Sequence, residues 1–148
     1  MPTAGIEIVV VGTMVIPNIG SGTFRLPADN AIISCGWYCY AGHRAIDVQN
    51  RYNKYGAVKA ADRGTILSTG YGPVTGYYAI INHNNGFYTY YGHFNQPCFF
   101  NVGTTVAKGE VIGQIGMTGK ATGPHIHFEI RKGCRHSSCT VYPWDYIG

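Results

Sequence analysis

Charged residues are scarce in this chain: they make up 12% of its 148 residues, whereas 45% are hydrophobic. Disordered tails and coiled coils carry far more charge, and the 21 glycines follow no collagen-like repeat, so these three classes are excluded. No apolar run approaches the roughly 20 residues that a membrane-spanning helix needs. The strongest candidate, residues 8–11, is bounded by Glu7 and Gly12, and we therefore expect no transmembrane segment.

Basic residues are also few, and they are spread along the chain. Lysine and arginine number 11 against 7 aspartate and glutamate residues, which gives a net charge of +4. Only Arg131 and Lys132 are adjacent, so the sequence has no basic stripe that could neutralise a row of phosphates. We expect no nucleic-acid partner, although the charge would allow a weak attraction to acidic cell-wall polymers.

The residues that are abundant favour β-structure. The chain has 12 tyrosines with frequent valine, isoleucine and threonine, and its glycines leave few windows long enough for a helix. Short strand-like runs follow one another from residue 31 to residue 131. Asn84, Asn85 and Gly86 separate two of them, 77–82 and 87–91, and predict a tight hairpin turn. We predict an all-β fold.

The chain divides into two unequal parts. Residues 1–22 form an apolar segment that ends in a linker rich in proline and glycine, and residues 23–148 form one domain. The first residues lack the basic start and the long apolar stretch of a secretory signal. We expect either export by another route or a chain that is a piece of a longer protein.

Five cysteines form two close pairs and leave one over. Cys35 with Cys39 and Cys134 with Cys139 are candidates for local disulfides in an oxidising compartment. Neither spacing is the C-x-x-C of a zinc knuckle, but other pairings and a structural cysteine–zinc site remain open alternatives.

Two polar clusters indicate metal chemistry. His43 and Asp47 lie four residues apart, and in an extended strand positions 43, 45 and 47 would share one face. His125 and His127 share a face of a second strand, with Ile126 and Phe128 directed into the core. Two histidines and one carboxylate leave one position of tetrahedral zinc open, which is typical of catalytic sites.

Other polar residues near these clusters have two interpretations each. His93 follows the aromatic run of the hairpin, where a further imidazole could assist water activation. Glu129 could orient a histidine ligand or lie at a solvated strand edge. His83 more simply stabilises the hairpin turn, His136 is expected in solvent, and a tyrosine such as Tyr90 could donate to an oxyanion.

Three motifs in this order resemble the signatures of the lysostaphin-like (M23, LytM-type) zinc metallopeptidases. They are H-x-x-x-D at 43–47, Y-G-H-F at 91–94 and TGKATGPHIHFEI at 118–130. The similarity extends over about residues 24–146, including GTI at 64–66, VAKGEVIG at 106–113 and YPWDYI at 142–147. Ala45 departs from the glycine that is frequent at its position, and the cysteine loop before His43 is an insertion that could alter substrate preference.

The resemblance implies a fold and a division of roles. The fold would be a mostly antiparallel sheet with a loop-walled groove, of the LytM or duplicated-hybrid-motif type. His43, Asp47 and His127 would hold Zn²⁺, while His93 and His125 would act on the water and the tetrahedral intermediate.

The activity implied is that of a zinc endopeptidase. It would hydrolyse peptide bonds in the stem or cross-bridge of bacterial peptidoglycan, as a monomer, in an extracellular, periplasmic or phage-particle location. The alternative is a catalytically silent domain of the same fold that binds cell wall or regulates another hydrolase. Such a domain is expected to have lost one of the five positions, and all five are present here.

Overall fold

A computed structural model describes residues 8–11 and 14–148 of the chain. The chain is 44% strand and 5% helical, so the prediction of an all-β fold is confirmed. No helix in the described part is long and apolar enough to cross a membrane.

Twelve strands and two short 3-10 helices can be assigned among the described residues. The strands are β1 Ile8–Val11, β2 Met14–Pro17, β3 Ala31–Cys35, β4 Ile46–Asn50, β5 Ala57–Lys59, β6 Gly64–Gly72, β7 Gly76–Asn82, β8 Phe87–Phe94, β9 Thr105–Val106, β10 Val111–Gln114, β11 Ile126–Lys132 and β12 Thr140–Val141. The helices are Ser137–Cys139 and Pro143–Asp145. The predicted runs 77–82 and 87–91 match β7 and β8 to within a few residues at each end.

One antiparallel sheet contains eight of the described strands. Its order is β3-β4-β11-β8-β7-β6-β9. Strand β12 pairs with residues 130 and 131 of β11, beyond residues 126–128, which pair with β4. Strands β5 and β10 form a separate pair, and so do β1 and β2. Strand β11 therefore lies between β4 and β8, although the three strands are far apart in sequence.

The core covers one face of these central strands. Ile126, Phe128 and Ile130 alternate along β11 and are fully buried, as predicted for the first two. Ile46 and Val48 of β4 are also fully buried. The intervening residues of β4 and β11 therefore project from the opposite face, on which the polar motifs lie.

The predicted hairpin joins β7 to β8. Asn84 has φ 59° and Gly86 has φ 90°, so both residues adopt the left-handed conformation that asparagine and glycine tolerate best. Asn84 also donates a hydrogen bond from its amide Nδ2 to the carbonyl oxygen of Asn18 at 2.6 Å. The turn is thereby tied to the segment that precedes the sheet.

The N-terminal segment makes regular contacts where it is described. Strands β1 and β2 pair with each other, and the backbone nitrogens of Gly20 and Ser21 donate to the His83 carbonyl and to the Asp62 carboxylate at 2.6 and 2.7 Å. Residues 1–7, 12 and 13, which belong to the predicted apolar segment, lie outside the described residues. The division at residue 22 stays a prediction.

His83 is a structural residue of the hairpin. It is fully buried, its Nδ1 donates to the Arg63 carbonyl, and its Nε2 pairs with the Thr89 hydroxyl, both at 2.8 Å. Burial lowers the pKa of His83 from its ordinary 6.5 to about 4, against the opposing effects of the Arg63 carbonyl and the Asp62 charge. The imidazole is therefore neutral at physiological pH.

The burial of His83 predicts acid sensitivity between pH 6.5 and pH 4. In this window the unfolded chain binds a proton that the folded chain does not, so the free energy of unfolding falls as the pH falls, by roughly 3 kcal/mol in total. Urea unfolding of His83→Gln at several pH values should show a flatter profile than the wild type. The exposed His136→Gln is the control, and identical profiles for wild type and His83→Gln would contradict the account.

Candidate metal and catalytic site

The strand register brings residues of all three motifs together. His127 of β11 pairs with Asp47 of β4 on one side and with Gly92 of β8 on the other. Directly paired residues on adjacent strands carry their side chains on the same face. Asp47 and His127 therefore lie next to Gly92 on the face of the sheet opposite the core.

His43 reaches the site from a loop. Strand β4 begins at Ile46, so the premise that residues 43–47 form one extended strand is wrong. Backbone hydrogen bonds from Tyr38 to His43 and from His43 to Tyr40, at 2.8 and 3.0 Å, fold this stretch into a turn. The His43 imidazole stacks on the Tyr40 ring at 4.6 Å, and the residue is only 2% exposed.

Two imidazole nitrogens lie close to one carboxylate oxygen of Asp47. Asp47 Oδ1 lies 3.3 Å from His43 Nε2 and 3.4 Å from His127 Nδ1. A tetrahedral zinc ion with bonds of about 2.0–2.1 Å separates its donors by about 3.3–3.4 Å, so both distances fit such an ion. His125 Nε2 lies at 3.7 Å from the other carboxylate oxygen, Asp47 Oδ2.

The remaining imidazoles are close to this trio. The ring of His93 lies 4.9 Å from the ring of His125 and 6.1 Å from the ring of His127. The structure thus brings together all five residues that the sequence motifs single out. His83 lies in the hairpin and His136 is exposed, so neither belongs to this cluster.

Each of the four imidazoles has one nitrogen fixed by an acceptor. The acceptors are the Gly36 carbonyl for His43 Nδ1 at 2.9 Å, the Thr118 carbonyl for His93 Nδ1 at 2.7 Å, the Gly123 carbonyl for His125 Nδ1 at 2.9 Å and Glu129 Oε2 for His127 Nε2 at 2.7 Å. Because these oxygens only accept, the bonded nitrogen carries the proton. In the neutral ring the other nitrogen then has a free lone pair, and in His43 and His127 that nitrogen faces Asp47.

Glu129 is held on both sides. Its Oε1 accepts from Arg131 Nε at 2.9 Å, Arg131 Nη2 at 2.8 Å and the Thr140 hydroxyl at 2.9 Å. The Glu129 side chain is 11% exposed, so it lies in this network and not at a solvated edge. A carboxylate placed in this way fixes the ring orientation of a histidine ligand.

The charges of the site shift several pKa values. Burial favours the neutral acids, but the neighbouring histidines hold the pKa of Asp47 below its usual value, and His127 with Arg131 does the same for Glu129. Burial also disfavours the charged form of His127, yet the two carboxylates outweigh it and raise the pKa of His127 to about 9. Burial lowers the pKa of His93, despite its hydrogen bond to Thr118.

A β-bulge places His93 in the site. Between Tyr77–Ala79 of β7 and Tyr91–Phe94 of β8 the register shifts, so that β8 contains one extra residue. His93 has φ 67°, a left-handed conformation that is rare for a residue with a side chain. Without the bulge, alternation would turn His93 to the core face with Tyr91. With it, Phe94 is buried and His93 contacts His125.

The predicted cysteine pairs are bonded in the structure. Cys35 joins Cys39, Cys134 joins Cys139, and Cys98 is the free thiol of the described residues. Cys35 Sγ lies 3.8 Å from His43 Nδ1, and donor atoms of Cys35, His43 and Asp47 lie within 4.8 Å of one another. Because the sulfur is in a disulfide and His43 Nδ1 is bonded to Gly36, this trio is not a competent metal site.

Three clefts meet at the site and form the groove that the resemblance implies. The largest, of about 630 Å³, extends from His127 past Lys120 and Gln49. Two smaller clefts, of about 320 and 280 Å³, also reach His127 and are lined by Arg44 and by Arg131, respectively. Arg44 and Lys120 line the groove, whereas Arg131 is buried and paired with Glu129.

Several residues of the site were not predicted from the sequence. Arg131 lies two positions after Glu129 on the same face of β11, so strand alternation alone could have indicated it. Thr140 and the carbonyls of Gly36 and Thr118 carry no such signal. Of the tyrosines considered as oxyanion donors, Tyr91 is fully buried and bonded to Ala61 and Thr89, whereas Tyr90 lines a cleft beside His127.

Comparison with known proteins agrees with the motifs. The model of peptidase family M23 matches residues 41–139. Peptidoglycan DD-endopeptidase ShyC of Vibrio cholerae is 39% identical over 70 residues, which are 47% of this chain and 16% of that relative. The chain thus matches only a small part of the curated protein.

Solved structures share the fold. A putative peptidase M23 from Pseudomonas aeruginosa has a TM-score of 0.74 at 26% identity, covering 90% of this chain and 54% of its own. Lysostaphin from Staphylococcus simulans has a TM-score of 0.68 at 27% identity, covering 78% and 48%. A complex of SpoIIIAH and SpoIIQ shares the fold alone, with a TM-score of 0.71 at 22% identity, covering 84% and 99%.

The contact between Glu129 and His127 predicts that a substitution of Glu129 changes the pKa of His127. In the metal-free protein, Glu129→Gln removes one of the two carboxylates that raise the pKa of His127 to about 9. The pKa should then fall toward its ordinary value of about 6.5, as followed by the imidazole nitrogen chemical shifts in an NMR titration. Glu110→Gln, at a half-buried carboxylate outside the site, is the control. An unchanged His127 pKa in Glu129→Gln would refute the assignment.

Proposed function

Since the chain belongs to peptidase family M23, we propose that it is a zinc-dependent endopeptidase of bacterial peptidoglycan, cutting the stem or the cross-bridge peptides. The observation that carries the proposal is the convergence of His43 Nε2, Asp47 Oδ1 and His127 Nδ1 at separations of 3.3 and 3.4 Å. ShyC, a relative over about half of this chain, is named a peptidoglycan DD-endopeptidase. That name supports the substrate class.

The donor set fits zinc. Two imidazole nitrogens and one carboxylate oxygen are ligands that zinc accepts, and three protein ligands leave one position for substrate or water. His43, Asp47 and His127 would hold the ion. Zinc bound there supplies Lewis-acid polarisation of the scissile carbonyl and of the attacking water.

The two further histidines are suited to proton transfer. His93 and His125 each donate from Nδ1 to a backbone carbonyl, which leaves Nε2 as the proton acceptor. Burial lowers the pKa of His93 and keeps it neutral at physiological pH. We assign to this pair the removal of a proton from the attacking water and its delivery to the amine that leaves.

The groove and the charges accommodate a peptide. The cleft of about 630 Å³ extends from His127 past Lys120, and a basic rim would attract the carboxylates of peptidoglycan peptides. The two disulfides suit a protein that works in an oxidising compartment, whether extracellular, periplasmic or on a phage particle.

The alternative is a silent domain of the same fold that binds cell wall or regulates another hydrolase. Against it stands the completeness of the site: all five residues of the motifs are present and close together, and each of the four imidazoles has one nitrogen fixed by an acceptor. A domain that only binds would have no need of that arrangement.

Digestion of purified peptidoglycans that differ in cross-bridge chemistry, with mass analysis of the fragments, tests the activity. The wild type should release fragments from at least one of them, and the new amino termini identify the bond. His127→Ala should release none, and His125→Ala should be slower by about 10²–10⁴-fold. His136→Ala, at an exposed histidine, is the matched control. Equal release by wild type and His127→Ala would refute the active site, and no release by the wild type would favour the silent domain.

Metal analysis tests the ligands separately. One equivalent of zinc should copurify with the wild type, because one imidazole nitrogen of each of His43 and His127 lies 3.3 or 3.4 Å from Asp47 Oδ1, as around a tetrahedral zinc ion. Asp47→Ala should lose it, since this carboxylate lies between the two imidazoles. Asp145→Ala removes an exposed carboxylate outside the site and should keep the zinc. Zinc content in Asp47→Ala equal to the wild type would contradict the assignment.

A further inference from the structure

Both disulfides close loops that hold the outer nitrogens of the two histidine ligands. Gly36 lies inside the loop from Cys35 to Cys39, and its carbonyl accepts the proton of His43 Nδ1 at 2.9 Å. This bond leaves His43 Nε2 directed at Asp47, 3.3 Å away. The position of one loop carbonyl therefore sets the orientation of one ligand.

The second loop acts on His127 through two side chains. Inside the loop from Cys134 to Cys139, the carbonyl of Arg135 accepts from Arg131 Nη1 at 2.6 Å. The carbonyl of Ser137 lies 2.8 Å from the Thr140 hydroxyl, whose one hydrogen it shares with Glu129 Oε1. Arg131 and Thr140 both bind Glu129 Oε1. The other oxygen of Glu129 binds His127 Nε2 and turns Nδ1 toward Asp47.

Neither loop is fixed by a core of its own. None of the residues 35–42 and 134–139 is buried, and most of them are exposed. Exposed segments with few packed contacts open easily. A disulfide removes much of the conformational freedom of such a segment, so each bridge adds a covalent constraint to the Trp37–Tyr142 contact and the backbone hydrogen bonds that hold these loops.

We propose that the two disulfides are positioning elements of the metal site, so that zinc affinity depends on their being formed. The inference rests on the proposed function, because it takes His43 and His127 as ligands. Reduction of each bridge adds two electrons and two protons and gives two thiols, after which the Gly36, Arg135 and Ser137 carbonyls lose this covalent constraint. The site then binds zinc more weakly in a reducing compartment.

Reduction could in principle have the opposite effect, because it frees the Cys35 thiol near His43 and Asp47. The geometry disfavours coordination by this sulfur. Its contact at 3.8 Å is with His43 Nδ1, whereas the nitrogen directed at Asp47 is Nε2. The experiment separates the two effects by their sign.

The test is a competition for Zn²⁺ between the full chain and a chromophoric chelator at neutral pH. Removal of outer contacts to metal ligands costs about 10–100-fold in affinity. Cys35→Ala/Cys39→Ala and Cys134→Ala/Cys139→Ala should each bind zinc about 10-fold more weakly than the oxidised wild type, and the fourfold variant about 100-fold more weakly. Cys98→Ala, which removes the free thiol, should bind as the wild type does.

Two further measurements distinguish a loss of zinc affinity caused by the disulfides from one caused by misfolding of the cysteine variants. Thr140→Val keeps both disulfides and a similar shape but removes the hydroxyl between Glu129 and Ser137, and it should weaken zinc binding several-fold with little change in thermal stability. The wild type reduced by a trialkylphosphine, which takes its oxygen from water and becomes the phosphine oxide, should lose affinity as the fourfold variant does. Reoxidation with oxidised glutathione should restore it.

The outcomes separate this inference from the proposed function. If the oxidised wild type binds zinc and all variants bind equally well, or if reduction tightens binding, the inference is wrong and the proposed function stands. If the oxidised wild type binds no zinc, the proposed function fails and the inference falls with it.

Discussion

The position of β11 between β4 and β8 is the constraint on which the site depends. Antiparallel pairing sets His127 against Asp47 on one side and Gly92 on the other, and a slip by one residue would turn His127 into the core. Ile126, Phe128 and Ile130 prevent this slip, because all three are fully buried on the opposite face. The hydrophobic alternation of one strand therefore fixes both the core and the separation of the donor atoms in the proposed zinc site.

Polar groups in a partly buried site need partners, and here the partners also set the chemistry. Each imidazole donates from one nitrogen to a fixed oxygen and presents the other to the groove. Asp47 and Glu129 remain charged because histidines and Arg131 surround them. Removing one member of such a network leaves a buried charge without compensation, which is costly. The arrangement that stabilises the buried groups is thus the one that a metal ion requires.

Sequence reasoning predicted the parts that follow from local patterns. The strand runs, the turn at Asn84–Gly86 and the opposite faces of Ile126 and His127 all follow from alternation and turn chemistry. The positions of His43 and His93 do not follow from such local patterns. His43 reaches the site from a loop that a disulfide closes, and His93 reaches it through a bulge with φ 67°. The first depends on how the nearby Tyr40 ring stacks on His43, and the second on a hydrogen bond to the carbonyl of the distant Thr75. A single-sequence pattern encodes neither contact. The contact of Thr140 with Glu129 likewise requires the pairing of β12 with β11.

Anomalous diffraction at the zinc edge, from crystals of the zinc-loaded protein, tests the central claim most directly. The account predicts one strong peak between β4 and β11, about 2.0–2.2 Å from His43 Nε2, Asp47 Oδ1 and His127 Nδ1. It also predicts that His127 Nε2 stays bonded to Glu129. Zinc coordinated by His127 Nε2 would contradict the account. So would a zinc position that does not contact Asp47 and His127.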